Sequence, residues 1–320
     1  MNLDPIIEKR CKERLKVLMP QYKKAILKQD LKMAKNLIVD VQPLLKKLEK
    51  NAQLVELKNQ LFELALINNE VDYSIEGLLI NKKLANKNTR LYLDATALLA
   101  IGYLRKSELE KAKPCIQEVL QNKNIIKTES TRRKFNEEII KRFDEECVLA
   151  SLKNDKNKRF SLDEINLSML KDLESKTENE LYIELGILAP KSTKDLLYLV
   201  DIFSKKQLTF EEQKLLTSSD EEITDDKIGK TIFSSFKQVL YKSICDPSSE
   251  VYKGWYTNGV GITLDKKYMI SSITAIFIGY GIGYIALIVS AAVLILRFGL
   301  NIYCERYKPI SITELRRKGD

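Results

Sequence analysis

Histidine is absent from all 320 residues. That single absence removes Ser-His-Asp and Cys-His nucleophilic arrangements, histidine metal ligation and histidine acid–base catalysis. Glycine (12) and proline (7) are scarce, so long runs of Leu, Lys, Glu, Ile and Asn pass with few breaks, which favours helices over sheets. The five cysteines, Cys11, Cys115, Cys147, Cys245 and Cys304, are odd in number, scattered and without a CxxC pair. They argue for a reducing compartment and against a disulfide framework or a zinc ribbon. No glycine cluster has the GxxxxGK[ST] spacing of a phosphate loop, and no paired carboxylates have a spacing that recommends catalysis. The acidic run Asp220, Glu221, Glu222, Asp225 and Asp226 lacks the alternating ligands and turn glycine of a calcium loop and reads as a solvated loop or helix start. The sequence therefore assigns no catalytic residue, cofactor or metal, and a non-enzymatic role is expected.

What the chain does have is one long uncharged stretch. Residues 270–296, ISSITAIFIGYGIGYIALIVSAAVLIL, hold 27 residues without a charge, where about 20 suffice for a helix to cross a hydrocarbon core about 30 Å thick. The expectation is a transmembrane helix; a buried helix of a protein core is the competing reading. Flanking residues suit an interface: Tyr252, Trp255 and Tyr256 before the span and Tyr303 and Tyr307 after it at headgroup level, with Lys266, Lys267, Arg297 and Arg306 snorkelling. Gly279 and Gly283 form a GxxxG pair, extended by small residues such as Ser290, that would let copies of the helix associate. Cys304, at this boundary, reads either as an S-acylation site or as a small apolar filler. Topology is contested. Lys and Arg are more numerous after the span than before it, favouring a cytoplasmic C-terminus, whereas a Lys-rich body whose N-terminus has no signal-peptide pattern is expected to be cytoplasmic. Either residues 270–296 span once, or residues 269–304 bend into a re-entrant hairpin at Gly279 to Gly283.

Upstream, residues 1–60 carry 14 Lys or Arg against 7 Asp or Glu, a basic face for anionic lipid or an acidic partner, or simply a solvated one; no nucleic-acid module accompanies it. An amphipathic helix is expected from Pro5 through Ile6, Ile7, Leu15 and Leu18, ended or kinked by Pro20. A weak repeat follows. Small residues Ala34, Ser74 and Ala112 recur at intervals of 40 and 38, each flanked by aliphatics (Leu31 and Ile38, Val71 and Leu78, Leu109 and Ile116) and preceded by a polar turn, Gln29-Asp30, Asn69-Glu70 or Ser107-Glu108. Such spacing lets antiparallel helices approach closely. The third copy, LLAIGYLRKSELEKAKPCIQEVLQN, resembles a tetratricopeptide (TPR) unit, with Leu99, Tyr103, Leu109, Ala112, Ile116, Val119 and Leu120 at the apolar positions. It departs from that family at Ala100 and Thr96 and in its longer period. The resemblance, covering residues 15–125, implies a concave surface for a peptide or protein.

A polar helix across residues 123–158, with Phe135, Ile139, Phe143 and Val148 near one stripe, dissolves into KNDKNKR. Beyond it, Ser161 with Glu164, Ser192 with Asp195 and Thr209 with Glu212 mark helix starts, and Ile232, Phe236, Val239, Leu240 and Ile244 mark an amphipathic helix that packs on this bundle or rests in headgroups. The expected architecture is all-α: a helical-hairpin array over residues 1–152, a linker at 153–159, a second helical bundle at 160–245, a connector at 246–269, a transmembrane helix at 270–296 and a basic tail at 297–320. The expected function is that of a single-pass protein of the cell's inner membrane, with its body cytoplasmic, whose repeat surface holds a protein partner. The alternative is a membrane-permeabilising effector. Its layout is similar to that of transmembrane effectors of bacterial antiviral defence, a likeness of architecture alone.

Overall fold

The computed structural model describes residues 4–122, 125–153, 172, 175–216, 224–256 and 266–315; the side chains of residues 215, 216, 255, 256 and 266–268 fall outside that description. The described residues form sixteen helices and no strand. The chain divides into two compact units, one of Met1–Ile139 with Ile310–Asp320 and one of Ile140–Pro309.

In the first unit, α1 (Pro5–Leu27) and α2 (Leu31–Lys47), α3 (Asn51–Ile67) and α4 (Val71–Leu84), and α5 (Arg90–Arg105) and α6 (Leu109–Gln121) form three successive hairpins, each packed on the next. Asp4 and Asp30 cap α1 and α2, accepting the amides of Ile6 (2.8 Å) and Met33 (2.9 Å). The turns expected at 29–30, 69–70 and 107–108 are where the chain reverses. Gln29, Asn69 and Ser107, with Glu49 between hairpins, take positive φ of 53 to 61°. The amide after each returns to the carbonyl five residues earlier, Asp30 to Ala25, Glu70 to Ala65, Glu108 to Tyr103 and Lys50 to Leu45, all at 2.9 Å. This closes each helix without glycine. Ala34, Ser74 and Ala112 are fully buried where the helices meet, and Ser74 Oγ donates to Phe62 O at 2.9 Å.

Pro20 does not end α1. Pro20, Pro43 and Pro114 all lie inside helices. Beyond Pro20, buried Tyr22 and Ala25 anchor the remaining turns, with Tyr22 Oη donating to Leu57 O at 2.6 Å. Tertiary contacts thus override the local penalty of the ring.

Helix α7 (Glu129–Leu152) contains the division between the units and buries Phe135, Ile139, Phe143 and Val148. The second unit continues with α8 (Glu178–Leu188), α9 (Lys191–Lys206), α10 (Phe210–Leu216), α11 (Asp225–Cys245), α12 (Glu250–Tyr256), α13 (Lys266–Tyr280), α14 (Ile285–Phe298) and α15 (Leu300–Arg306). The chain then returns to the first unit, where α16 (Ile312–Leu315) packs on α3 and α5. The Thr209–Glu212 start holds, with Thr209 N 3.0 Å from Glu212 Oε2. The helix expected from residue 178 is α8, which a further capping box, Thr177–Glu180, opens. The Ser192–Asp195 start is displaced: Pro190 stands at the N-cap and Ser192 lies in the first turn. The Ser161–Glu164 start lies outside the described residues. Helix α11 packs on α8 with Ile232, Phe236, Leu240 and Ile244 buried.

The uncharged stretch is not one helix. Gly281, at φ +90°, ends α13; Ile282 N returns to Phe277 O at 2.9 Å, and helix resumes only at Ile285. Glycine tolerates that left-handed geometry, so the stretch stops where a side chain would have extended it. At 1.5 Å per residue, α13 and α14 are about 22 and 21 Å long, short of a hydrocarbon core of about 30 Å. Among the described residues no single helix is long and apolar enough to cross a membrane; α14 and α15, bent by 102° at Gly299, pass that test only as a pair. Protein encloses α14: Leu287, Ile288, Ala291, Ala292, Val293, Leu294 and Ile295 are all fully buried. A helix apolar on every side belongs in lipid or in a protein core, and here the second unit packs around α14.

Tyr303 and Tyr307, read from the sequence as headgroup residues, belong to an internal aromatic cluster. Phe233 stands edge-on to Tyr182, Tyr303 and Tyr307, at centroid distances of 5.7, 5.9 and 4.9 Å. The cysteine reading is corrected as well. Cys245, at the end of α11, and Cys304, in α15, form a disulfide with their Cα atoms 5.5 Å apart, while Cys11, Cys115 and Cys147 are free and buried. The packing of α15 on α11 brings together two cysteines 59 residues apart, which sequence spacing cannot reveal.

Candidate functional site

The first unit places one carboxylate where it needs a partner from elsewhere in the chain. Helix α3, LVELKNQLFELALI from Leu54, lies between neighbouring helices and buries almost its entire surface, Asn59, Gln60 and Glu63 included. Asn59 Nδ2 donates to Leu91 O (2.9 Å) on α5, and Asn81 Nδ2 donates to Asn59 Oδ1 (2.8 Å) from α4. Glu63, 8% exposed, pairs with no lysine or arginine among the described residues. Its donors come from the segment entering α16. Ile312 N donates to Oε1 at 2.5 Å; Ser311 Oγ, Thr313 Oγ1 and Thr313 N meet Oε2 at 2.7, 2.8 and 3.2 Å.

The arrangement is reciprocal. A buried carboxylate without donors costs several kcal/mol, whereas hydrogen bonds to a charged group contribute about 1.5–3 kcal/mol each. Ser311 also caps α16, its Oγ accepting Glu314 N at 3.3 Å. Ile312 and Thr313 are buried, at 2% and 5% exposure. Leu315 lines a cleft of about 420 Å³ together with Arg90, Thr131, Lys134, Phe135 and Glu138. There Arg90 lies 3.9 Å from the Phe135 ring centroid and 3.2 Å from Asp94. The site thus has a hydrogen-bonding centre at Glu63, a buried aliphatic position beside it and a partly cationic cleft at its far end. In this structure it holds the turn at residues 311–313.

The second unit encloses a different polar group. Glu145 Oε1 accepts from Ser234 Oγ (2.7 Å) and Lys237 Nζ (2.5 Å), and Gln238 Nε2 reaches Oε2 at 3.2 Å. Burial lowers the Lys237 ammonium pKa, and Glu145 opposes that shift. Asp144 Oδ1 is buried with no hydrogen-bond partner among the described residues. Burial, followed by the negative charge of Asp201, holds the Asp144 carboxyl well above the usual carboxylate range. No group of three or more His, Cys, Asp or Glu is placed to hold a metal among the described residues.

The residues singled out in the sequence are not brought together. Gly279 is exposed in the last turn of α13, with nothing within 4 Å of an added Cβ, and Gly283 lies buried in the break after it. The helix ends between them, so they make no common stripe. Ser290 is buried in α14, its Oγ 3.2 Å from Glu184 Oε2 and 3.1 Å from Ala286 O. Arg297 donates to Lys176 O, and the Arg306 guanidinium lies 5.5 Å from the Phe298 ring centroid. Trp255 and Tyr256 end α12, and Lys266 and Lys267 begin α13, but their side chains lie outside the described ones. In the acidic run, Asp225 pairs with Lys194 at 3.0 Å and Asp226 with Lys230 at 2.7 Å at the start of α11, while residues 220–222 lie outside the described residues.

Sequence reasoning missed Glu63, Ser311, Ile312 and Thr313. Two signals were there to find. Ser311-Ile-Thr-Glu314 has the S-x-x-E form of a helix start, and Glu63 is the lone charge in the apolar run LFELALI. No protein-family model, curated protein or solved structure matches the chain.

Proposed function

We propose that this chain is a non-enzymatic protein-binding protein whose hairpin array docks a partner on the face formed by α3 and α5. The observation that carries the reading is the seat of Ser311 and its neighbours on that face. A segment 248 residues from Glu63 in the sequence is held through backbone amides and hydroxyls, the groups any polypeptide offers. Three hairpins in succession support it, because stacked hairpins present an extended surface of this kind. The test is co-purification of the tagged full chain from its own cells. A protein partner at fixed ratio is expected, and Glu63→Lys should deplete it at least tenfold. Retention of the partner by Glu63→Lys at the wild-type ratio overturns the docking face.

A second reading, the membrane-permeabilising effector, has one observation in its favour. The 27 uncharged residues fold as two short helices about a glycine break, and a disulfide joins the segments flanking them. In this reading reduction frees α13 and α14 to enter a bilayer, where copies associate. Dye release from anionic vesicles is expected only after treatment with a dithiol reductant. No release with or without reductant ends this reading.

A further inference from the structure

We infer that the Glu63 site recognises a five-residue code, Ser/Thr–aliphatic–Ser/Thr–any–Leu, at the start of a partner protein's helix, and that residues 311–315 are its resident competitor. The inference rests on the docking reading and specifies its ligand. Each position has its own contact. The first residue supplies a hydroxyl to Glu63 Oε2 and caps the turn through Glu314 N, as Ser311 does. The second places a buried aliphatic side chain beside Glu63 and its amide on Oε1, as Ile312 does. The third brings amide and hydroxyl together on Oε2, which serine, threonine and few other side chains can do. The fourth, Glu314, is exposed and unconstrained, and the fifth, Leu315, meets the cleft beside Arg90 and Phe135.

The resident segment has the properties of a ligand that can be exchanged. It is short, its helix has only four residues, and non-helical residues 308–311 precede it. Its occupancy owes much to tethering, which gives short flexible links an effective concentration on the order of millimolar. A partner helix bearing the same turn, with further contacts beyond these five residues, exceeds that concentration effect. Charge sets the direction of recognition. A lone buried carboxylate accepts donors and repels a partner that presents a carboxylate at the first three positions.

The test uses the full chain carrying Ile312→Asp, which places a charge at a buried position and expels the segment. Binding of a fluorescein-labelled peptide of residues 309–320 is followed by anisotropy. Saturable binding is expected, at least tenfold tighter than to the wild-type chain, whose site is filled in cis. Adding Glu63→Gln should weaken it at least tenfold, and a peptide of scrambled order should not compete. Ser311→Ala with Thr313→Val provides a second opened chain should circular dichroism show Ile312→Asp unfolded. The inference is overturned if folded, opened chains bind no peptide, or bind it equally with Glu63→Gln. A wild-type dimer that Ile312→Asp dissociates also overturns it, since the occupant would then be a second copy. Loss of peptide binding alongside a Glu63-dependent co-purified partner removes the code and leaves the docking reading. Peptide binding without any co-purified partner does the reverse.

Discussion

An ideal Cβ at Gly186 would lie 1.8 Å from Asp225 O, and one at Gly229 would lie 1.8 Å from Tyr182 O. Both obstacles are backbone, so neither can swing aside, and α8 and α11 are held at a distance only two hydrogens allow. Gly186→Ala or Gly229→Ala should therefore lower stability by about 3 kcal/mol, read as a shift in the urea midpoint; an unchanged midpoint would refute the close crossing. Asp144 makes a pH-dependent prediction. Its folded-state pKa is raised by burial and by Asp201, with Glu145 adding to the shift and Lys205 and Lys227 opposing it. The folded state therefore holds this proton more tightly than the unfolded chain, whose Asp titrates near about 3.9. The contribution to stability is fully present below that pH and declines as pH rises toward the folded pKa. Asp144→Asn should melt above wild type at pH 7, with the gap closing toward pH 4; a gap that is constant with pH would show that Asp144 does not titrate this way. Glycine contacts of this sort were not legible in the sequence. GxxxG at 279–283 has the familiar spacing, whereas Gly186 and Gly229 lie 43 residues apart, and nothing local marks them as facing each other's helix.

Among the elements, much could be read in advance. The hairpin turns, the buried small residues at 34, 74 and 112, and the start of the helix at 178 follow from local chemistry that the fold leaves intact. Pro20 misled because buried Tyr22 and Ala25 keep α1 going beyond it. The uncharged stretch was expected as one helix and is two shorter ones; hydropathy reports that a segment avoids water, not whether lipid or protein replaces it. Its break was legible in part, since the alternative of a bend at Gly279 to Gly283 includes Gly281. Gly281→Ala should cost about 1–2 kcal/mol, the penalty of a left-handed residue with a side chain, measured by thermal melting. A stability equal to wild type would mean that α13 continues through residue 281. Cys245→Ser, which opens a loop of 59 residues, should remove about 4 kcal/mol relative to the oxidised chain and cause no further loss once both are reduced.

For the whole molecule, two compact units predict two heat-absorption peaks in calorimetry. A dithiol reductant should lower only the peak of residues 140–309, which contains the disulfide; movement of both peaks, or a single peak, would show that the units unfold as one. The sequence places a junction at KNDKNKR, of which residues 154–159 lie outside the described residues, and the compact units divide inside α7. Composition cannot mark a division that passes through a regular helix. Nor can it foretell that residues 310–315 rejoin the first unit, because the reason, an acceptor at Glu63 that pairs with no lysine or arginine among the described residues, lies in another part of the chain.

The bond between Cys245 and Cys304 has a bearing on geography. These residues stand on opposite sides of the uncharged run, yet their Cα atoms are 5.5 Å apart. While that bond is closed, whatever sheet of lipid the run enters it must leave on the face it came from, making an even number of passages. The basic residues before and after the run, which tug a once-threaded chain in opposite senses, then share one bank and have nothing left to dispute.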